Sequence, residues 1–271
     1  MGPSIASVVV GLVVLAVVFG VLERVVPAVP GQRRWRGGTR VDLAWWFVTP
    51  LLTKWMTRVA IVLVLVTMAA SSGVPIDEAH LKQYLAPDPT IARLPWLAQL
   101  LLFLLLADLL AYWMHRAMHG RWLWRVHAVH HSSTEVDWLS SVRVHPLNDV
   151  LVRVAQAVPI VLLGFDPLLI AAYVPLLAFY AILVHANVPW DFGPLRWVLA
   201  SPHFHRWHHA AEEDGMNRNF AGLFPFIDLA FGTLHLPRRR PLRFGIPEGD
   251  VPDALWGQVA YPFRRPVAAR D

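Results

Sequence analysis

Long apolar stretches alternate with short polar segments along the first two thirds of the chain, and their lengths predict membrane-spanning helices. The opening, "MGPSIASVVVGLVVLAVVFGVLERVVP", holds about twenty apolar residues with no basic segment ahead of them, which is typical of a retained helix rather than a cleaved signal peptide. Further along, "LPWLAQLLLFLLLADLLAYWMHR" predicts another span of about twenty residues.

Between these two stretches lies an apolar segment that two cations interrupt. It follows "LAWWF", which we interpret as interfacial, and it contains Lys54 and Arg58. We therefore predict a span at about 55–74, with both cations extending along the helix to the same membrane surface.

The last apolar tract, residues 150–184, is broken in the middle by "GFDP". Gly164 and Pro167 should force a turn there, which predicts a helical hairpin whose two ends return to one side of the membrane. Segments 115–149 and 185–271 should then share one aqueous face. The basic loop "GQRRWRGGTR" follows the first span, so the positive-inside rule makes this shared face cytoplasmic.

The composition supports an integral membrane protein. Hydrophobic residues make up 56% of the 271 positions and charged residues 16%, against about a quarter in a typical soluble domain. The net charge of +5 is expected on the cytoplasmic side of a membrane protein and does not indicate nucleic-acid binding. We predict an all-α, multi-pass fold with about four transmembrane helices or hairpin arms and a cytoplasmic, helical, histidine-rich cap. Its regions would be 1–92 (N-terminal helices), 93–235 (catalytic region) and 236–271 (tail).

Histidines are concentrated in four short elements on the predicted shared face. The elements are "HRAMH" (His115, His119), "HAVHH" (His127, His130, His131), "VHANV" (His185) and "HRWHH" (His205, His208, His209). Residues three and four apart project from one face of a helix, so each box would direct its imidazoles toward a common point. Because the chain has no cysteine, a metal would be held by imidazole or carboxylate ligands.

Nine clustered histidines exceed the needs of one metal ion, since a single site takes about four ligands. Two ions fit the number better, but imidazole suits zinc, copper, iron and nickel alike. His80 and His235 lie outside the boxes, and we interpret them as ordinary polar residues. Two alternatives remain open at this point: a membrane metal-binding or transport protein, and a catalytically idle chain with a structural dinuclear site.

The histidine boxes also resemble those of a known enzyme superfamily. "DLLAYWMHRAMH", "HAVHHSS", "RVHP", "VHAN" and "SPHFHRWHH" resemble, in order and spacing, the histidine boxes of the fatty acid hydroxylase / sterol desaturase superfamily of membrane di-iron enzymes. The resemblance covers about 100–222 and implies that the nine box histidines are the metal ligands. "NRNFAG", with Asn219 and Gly222, resembles a looser element that follows the last box.

Three further residues are candidates for contacts that orient the ligands. Asp108 precedes His115 by seven residues, on the same helical face, and is a candidate acceptor for a ligating imidazole. His145 in "RVHP" matches a position of the resemblance, as a ligand or as a partner of one, and Asn187 follows His185 in "VHAN".

The resemblance implies an enzyme that uses two Fe ions, O2 and two external electrons to hydroxylate or desaturate a C–H bond of a lipid or sterol-like substrate. Zinc can replace iron during expression. A bridging carboxylate would balance the charge of neutral imidazoles, and three acids lie near the boxes: Glu135, Asp137 and Glu212. Electrons would come from a ferredoxin or a cytochrome b5-like protein. Its docking face would contain Arg116, Arg121, Arg125, Arg206 and Arg238 to Arg240, residues that also suit anionic membrane lipid.

Overall fold

The chain folds into helices joined by turns and irregular segments. A computed structural model describes residues 4–33, 35–246 and 251–264, and over those ranges it contains no β-strand beyond a single bridge between Ala210 and Phe244. The α-helices are α1 (Ile5–Val25), α2 (Thr39–Val48), α3 (Lys54–Ser71), α4 (Glu78–Tyr84), α5 (Pro89–Ala92), α6 (Trp96–Met118), α7 (Trp124–His131), α8 (Pro146–Leu162), α9 (Pro167–His185), α10 (Pro202–His208), α11 (Pro225–Ala230) and α12 (Leu255–Ala260). The all-α prediction is confirmed.

Among the residues that the structure describes, four helical segments are long and apolar enough to cross a membrane. They are Ile5–Val25, Thr39–Ser71, Trp96–Met118 and Leu168–His185. Apolar side chains on α1 remain exposed, with Val10 at 60% and Val17 at 62%, as expected where lipid covers the helix. Helix α8, the first arm of the predicted hairpin, has 17 residues and is shorter than these four. The chain is therefore an integral membrane protein with about four spans.

The second span begins earlier than the sequence suggests. Helices α2 and α3 form one segment of 33 residues, joined by the π-helical turn Thr49–Thr53. Pro50 lies in this turn, where its missing N–H interrupts the hydrogen-bond ladder. Within "LAWWF", Trp45 is fully buried and donates its indole N–H to Gln258 at 2.7 Å, while the interfacial position of this segment stays a prediction.

The "GFDP" segment forms the predicted turn between α8 and α9. Gly164 adopts a φ of +80°, a left-handed conformation that favours glycine. Its carbonyl accepts the backbone N–H of Asp88, and a Cβ at this position would collide with that residue's backbone. Asp166 then caps α9 by accepting the N–H of Leu168 at 2.7 Å. The turn thus fixes where α9 begins and, at the other end of α9, where His185 lies.

A buried ionic network joins the loop after α1 to the segment after α7. The Arg36 guanidinium lies 2.6 Å from the Asp42 carboxylate and 2.8 Å from Asp137, while Arg143 lies 2.6 Å from the other oxygen of Asp42. The two arginine side chains are 3% and 5% exposed. Buried charges require such pairing, because an uncompensated one is strongly destabilising. The network therefore holds the segment between α7 and α8 against the start of the second span.

Candidate metal centre

The structure brings all nine box histidines together. Three helices end there: His115 and His119 close α6, His185 closes α9, and His205, His208 and His209 form the end of α10. Helix α7 supplies the remaining three. The side chains form two groups, in each of which the candidate ligand atoms lie within 4.8 Å of one another. The first group is His115, His119, His127, His131 and His208, and the second is His130, His185, His205 and His209.

Within the groups, the Nε2 atoms face each other at short range. In the first group, Nε2 of His127 lies 3.0 Å from Nε2 of both His115 and His131. In the second, Nε2 of His185 lies 3.0 Å from that of His205 and 3.2 Å from that of His130. The groups adjoin each other, since the rings of His131 and His209 lie 4.5 Å apart.

The opposite ring nitrogens show which atoms carry the protons. Nδ1 of His115 donates to the carbonyl of Phe220 at 2.7 Å, and Nδ1 of His185 donates to that of Ala181 at 2.6 Å. Nδ1 of His130 donates to the carbonyl of Arg143 at 3.2 Å. A carbonyl oxygen only accepts, so each Nδ1 carries the hydrogen and a neutral ring leaves Nε2 bare.

The histidines outside the spans are held neutral by their surroundings. Burial and the neighbouring imidazoles lower the pKa of His130 well below its usual value, and they lower that of His119 to about 3. The 3.2 Å contact between Nε2 of His130 and Nε2 of His185 therefore joins two lone pairs with no hydrogen between them. Such a contact is repulsive unless a cation lies between the nitrogens.

A metal ion fits these atoms. Two nitrogens bound at ~2.1 Å and at right angles around one ion lie about 3.0 Å apart, which matches the separations within both groups. Nε2 of His119 and Nε2 of His208 are also buried, with no hydrogen-bond partner in the described part of the chain. Buried polar atoms are usually satisfied, so orphaned lone pairs directed into a ring of imidazoles indicate a metal.

The partners of the outward-facing nitrogens come from several segments. His127 contacts the side-chain oxygen of Asn148 at 2.7 Å, and His119 contacts that of Asn217 at 3.1 Å. His208 donates to the carbonyl of Arg218 at 2.9 Å. Such contacts fix ring orientation and tautomer at metal sites. Neither Asn148 nor Asn217 could be predicted from the sequence, since each asparagine contacts a histidine of another segment.

The three residues that were predicted to orient the ligating histidines make other contacts in the structure. Asp108 contacts no imidazole in the described ranges; its carboxylate accepts the backbone N–H groups of Gly222, Leu223 and Phe224 at 2.7 to 3.1 Å. Asn187 instead makes two hydrogen bonds to the backbone of Val29. Both residues hold loops next to the site rather than its rings.

His145 belongs to neither histidine group. Its Nδ1 caps α8 by accepting the N–H of Leu147, and its Nε2 donates to the carbonyl of Val259 at 3.1 Å. The residue therefore fixes the start of α8, three positions before Asn148.

No carboxylate joins the two groups in the part of the chain that the structure describes. Asp137 is paired with Arg36, and Glu212 with Arg239.

The prediction that Arg206 lies on the docking face was wrong. Arg206 is 3% exposed and donates to the carbonyl of Val136 at 2.7 Å. Arg206 thus belongs to the interior of the cap and cannot contact a partner protein.

Comparison with known proteins agrees with this geometry. A sequence profile described as fatty acid hydroxylase matches residues 100–233, which include all nine histidines. The ornithine lipid hydroxylase OlsE of Rhizobium tropici is 31% identical over 251 residues, covering 92% of this chain and 73% of the relative. The chain belongs to the fatty acid hydroxylase family. The resemblance carried by the histidine boxes is thereby confirmed.

More distant relatives share the histidine region. Alkylglycerol monooxygenase of Danio rerio is 28% identical over 159 residues, covering 58% of this chain and 35% of the relative. Methylsterol monooxygenase 2-2 of Arabidopsis thaliana is 27% identical over 139 residues, covering 50% of this chain and 52% of the relative. No solved structure matches the chain at a significant level. Members of this family are thus named as hydroxylases and monooxygenases of chemically different lipids.

Proposed function

We propose that this protein is an O2-dependent, non-haem di-iron oxygenase that hydroxylates or desaturates a C–H bond of a lipid or sterol-like substrate. The observation that carries the proposal is the pair of adjoining histidine groups with bare Nε2 atoms at their centres. The family membership supplies the reaction class, because the relatives are named as lipid and sterol hydroxylases or monooxygenases.

Each group would hold one iron, through five imidazoles in the first group and four in the second. When bound, the two irons supply the activation of O2 with two external electrons and the removal of hydrogen from the substrate. The chain keeps the rings in place through Nδ1–H donation to backbone carbonyls, as His115 does with Phe220. It also keeps bulk water away from seven of the nine ligands, which are buried.

The electrons would come from a separate protein of the ferredoxin or cytochrome b5-like type. The chain has no cysteine to hold an iron–sulfur cluster. Arg116 and Arg121 are exposed near the first histidine group, where they suit an acidic partner, whereas Arg239 is engaged by Glu212 and Asp214. We assign this face to the cytoplasm on the basis of the arginine-rich loop that follows α1.

The geometry disfavours a transporter. Transport sites lie near the middle of the spans, where discontinuous helices meet. Here His115 lies within the last turn of α6 and His185 is the final residue of α9, so the histidines collect at the ends of helices. A catalytically inactive protein with a structural dinuclear site would have the same ligands. Only a measurement of product formation distinguishes it from an oxygenase.

Isotope labelling in expressing cells tests the function. Cells that produce the protein under 18O2 should contain either a lipid with one added 18O atom, from hydroxylation, or a lipid with one more double bond, from desaturation; neither should be present in cells with the empty vector. His130→Ala should abolish this product because it removes a ligand of the second group, whereas His80→Ala, on the exposed face of α4, should retain it. A wild-type lipid profile with neither an 18O-labelled lipid nor a new double bond, or full product from His130→Ala, would refute the proposal.

A further inference from the structure

A large cavity lies among the spans, apart from the histidine groups. It has a volume of about 570 Å³ and is lined by α1, α2, α3, α6, α8 and α9. Most of its wall is apolar, with Phe103, Ile160, Ile170, Val174 and Leu177 among the lining residues. The volume is within the ~300 to 1,000 Å³ of small-molecule sites. A wall of this kind suits a hydrocarbon chain.

One part of the wall is charged, and its cations exceed its acids. Lys54, Arg58, Arg153 and Asp149 line the cavity. Asp149 pairs with Arg153 at 3.3 Å, whereas neither Lys54 nor Arg58 has an ion-pair partner over the ranges that the structure describes. Arg58 lies instead over the ring of Trp55, at 5.2 Å. Lys54 and Arg58 are both exposed, so their charges are free to pair with an anionic ligand.

Orphaned hydroxyl groups support a polar ligand at the same place. Thr49 and Thr57 line the cavity, and the Oγ1 atom of each is buried with no hydrogen-bond partner among the described residues. Thr49 lies in the π-helical turn, and Thr57 is one turn after Lys54. These hydroxyls make the wall beside Lys54 and Arg58 polar, and the two cations are the groups that reach an anionic oxygen group.

We propose that this cavity binds an amphiphile with one hydrocarbon chain in the apolar part and an anionic group held by Lys54 and Arg58. That this amphiphile is the substrate rests on the proposed function. The cavity reaches toward the histidines, since its lining includes Ile182, three residues before His185, and Val142, whose neighbour Arg143 contacts His130. Along α9 the lining extends from Ile170 to Ile182, about 18 Å at the helical rise of ~1.5 Å per residue.

Binding of hexadecyl phosphate to the purified protein in non-ionic detergent tests the proposal, with hexadecanol as the uncharged probe of equal chain length. Native mass spectrometry would count the bound probe, and the shift of the thermal unfolding midpoint would give its affinity. We expect one hexadecyl phosphate per chain and much weaker binding of hexadecanol. Lys54→Gln and Arg58→Gln should each weaken the binding of hexadecyl phosphate about tenfold or more, because charge-assisted hydrogen bonds are lost.

Two further variants separate the cavity from the membrane-facing surface. Ala157→Phe and Val174→Phe place a ring in the cavity and should abolish binding, whereas Val59→Phe, at a position 56% exposed and outside the lining, should not change it. Arg121→Gln removes a cation from the cap and is the charge control. Unchanged binding in the cavity variants, equal loss in the controls, or equal affinity for hexadecanol would overturn the proposal.

The binding assay needs no oxygen, electron donor or turnover. If hexadecyl phosphate fails to bind while the 18O-labelled lipid still forms, the cavity assignment is wrong and the oxygenase function stands. If the probe binds as expected but no lipid is labelled or desaturated, the cavity assignment stands and the proposed function fails.

Discussion

At the scale of single residues, the position of a proton on each imidazole decides what the site can bind. Nδ1 of His115, His130 and His185 donates outward to a backbone carbonyl, which leaves the inward Nε2 atoms as acceptors only. The spacing of the boxes predicted which histidines would converge. It could not show that five of the nine rings find their outward partners in carbonyls and asparagines of other segments, because those contacts depend on the tertiary fold.

Asn148 offers a test of these outward contacts. Its side-chain oxygen orients His127, so Asn148→Leu should lower metal affinity about ten- to a hundredfold, the usual effect of removing such a partner. Asn148→Asp keeps an acceptor oxygen and should retain most of the affinity. Competition with a chelator measures both variants. Equal affinity in wild type and Asn148→Leu would show that this contact does not hold the ring.

The buried histidines also predict how the metal-free protein responds to pH. Burial lowers the pKa of His119 to about 3, and the pKa values of His127, His130 and His208 are lowered as well. The unfolded chain therefore binds more protons than the folded chain once the pH falls below ~6.5, the ordinary value for histidine. Stability should be unchanged at higher pH and should decrease as the pH falls from about 6.5 toward 3.

Thermal unfolding of chelator-treated protein between pH 8 and pH 5 measures this effect. We expect a falling midpoint over the acidic half of the range, and a smaller fall for His119→Gln, which removes one of the titrating groups. A midpoint independent of pH, in protein shown to be metal-free, would contradict the neutral state assigned to these rings.

At the scale of elements, hydrophobic length predicted the spans well and their contacts poorly. The apolar tracts correctly located α1, α6 and α9. The second span begins at Thr39, but it was predicted to begin at about residue 55 because Lys54 and Arg58 interrupt the apolar pattern. Helical periodicity placed Asp108 on the face of His115, yet its carboxylate binds a loop that begins 114 residues further along. Such a contact cannot be predicted from the sequence, because every residue except proline has a backbone N–H group and the partner is far away along the chain.

The buried ionic network gives a prediction at this scale. Arg36→Met leaves the carboxylates of Asp42 and Asp137 short of a positive partner, so the free energy of unfolding should fall by about 3 to 5 kcal/mol. Arg33→Met, at an exposed position in the same loop, is the matched control and should change little. Thermal and denaturant unfolding in detergent measure the difference. A near-neutral Arg36→Met variant would mean that the network does not hold the loop to the cap.

At the scale of the whole molecule, the fold gathers polar chemistry at one end of a set of apolar helices. The ends of α6 and α9, with α7 and α10, build the histidine groups, while the cavity lies among the spans that carry them. The sequence predicted this shared face from the hairpin 150–184. Neither the cavity nor the division of the nine ligands into five and four could be predicted, since both depend on how the helices pack.

The orientation of this face is a prediction of its own. The arginine-rich loop between α1 and α2 should be cytoplasmic, so a reporter fused after the C-terminal residue should report a cytoplasmic location. A second fusion in the loop between α3 and α4 is the matched control and should lie on the opposite side. A signal from outside the cell for the C-terminal fusion would reverse the assignment of the active-site face.

The central claim is that the two histidine groups hold two metal ions, and the metal content of the purified protein tests it most directly. Protein from iron-supplemented cells, purified in detergent and measured by elemental mass spectrometry, should contain about two irons per chain, one for each group. Two zincs would support both sites and show substitution of the metal during expression. One metal or none, in folded protein, would contradict the dinuclear centre.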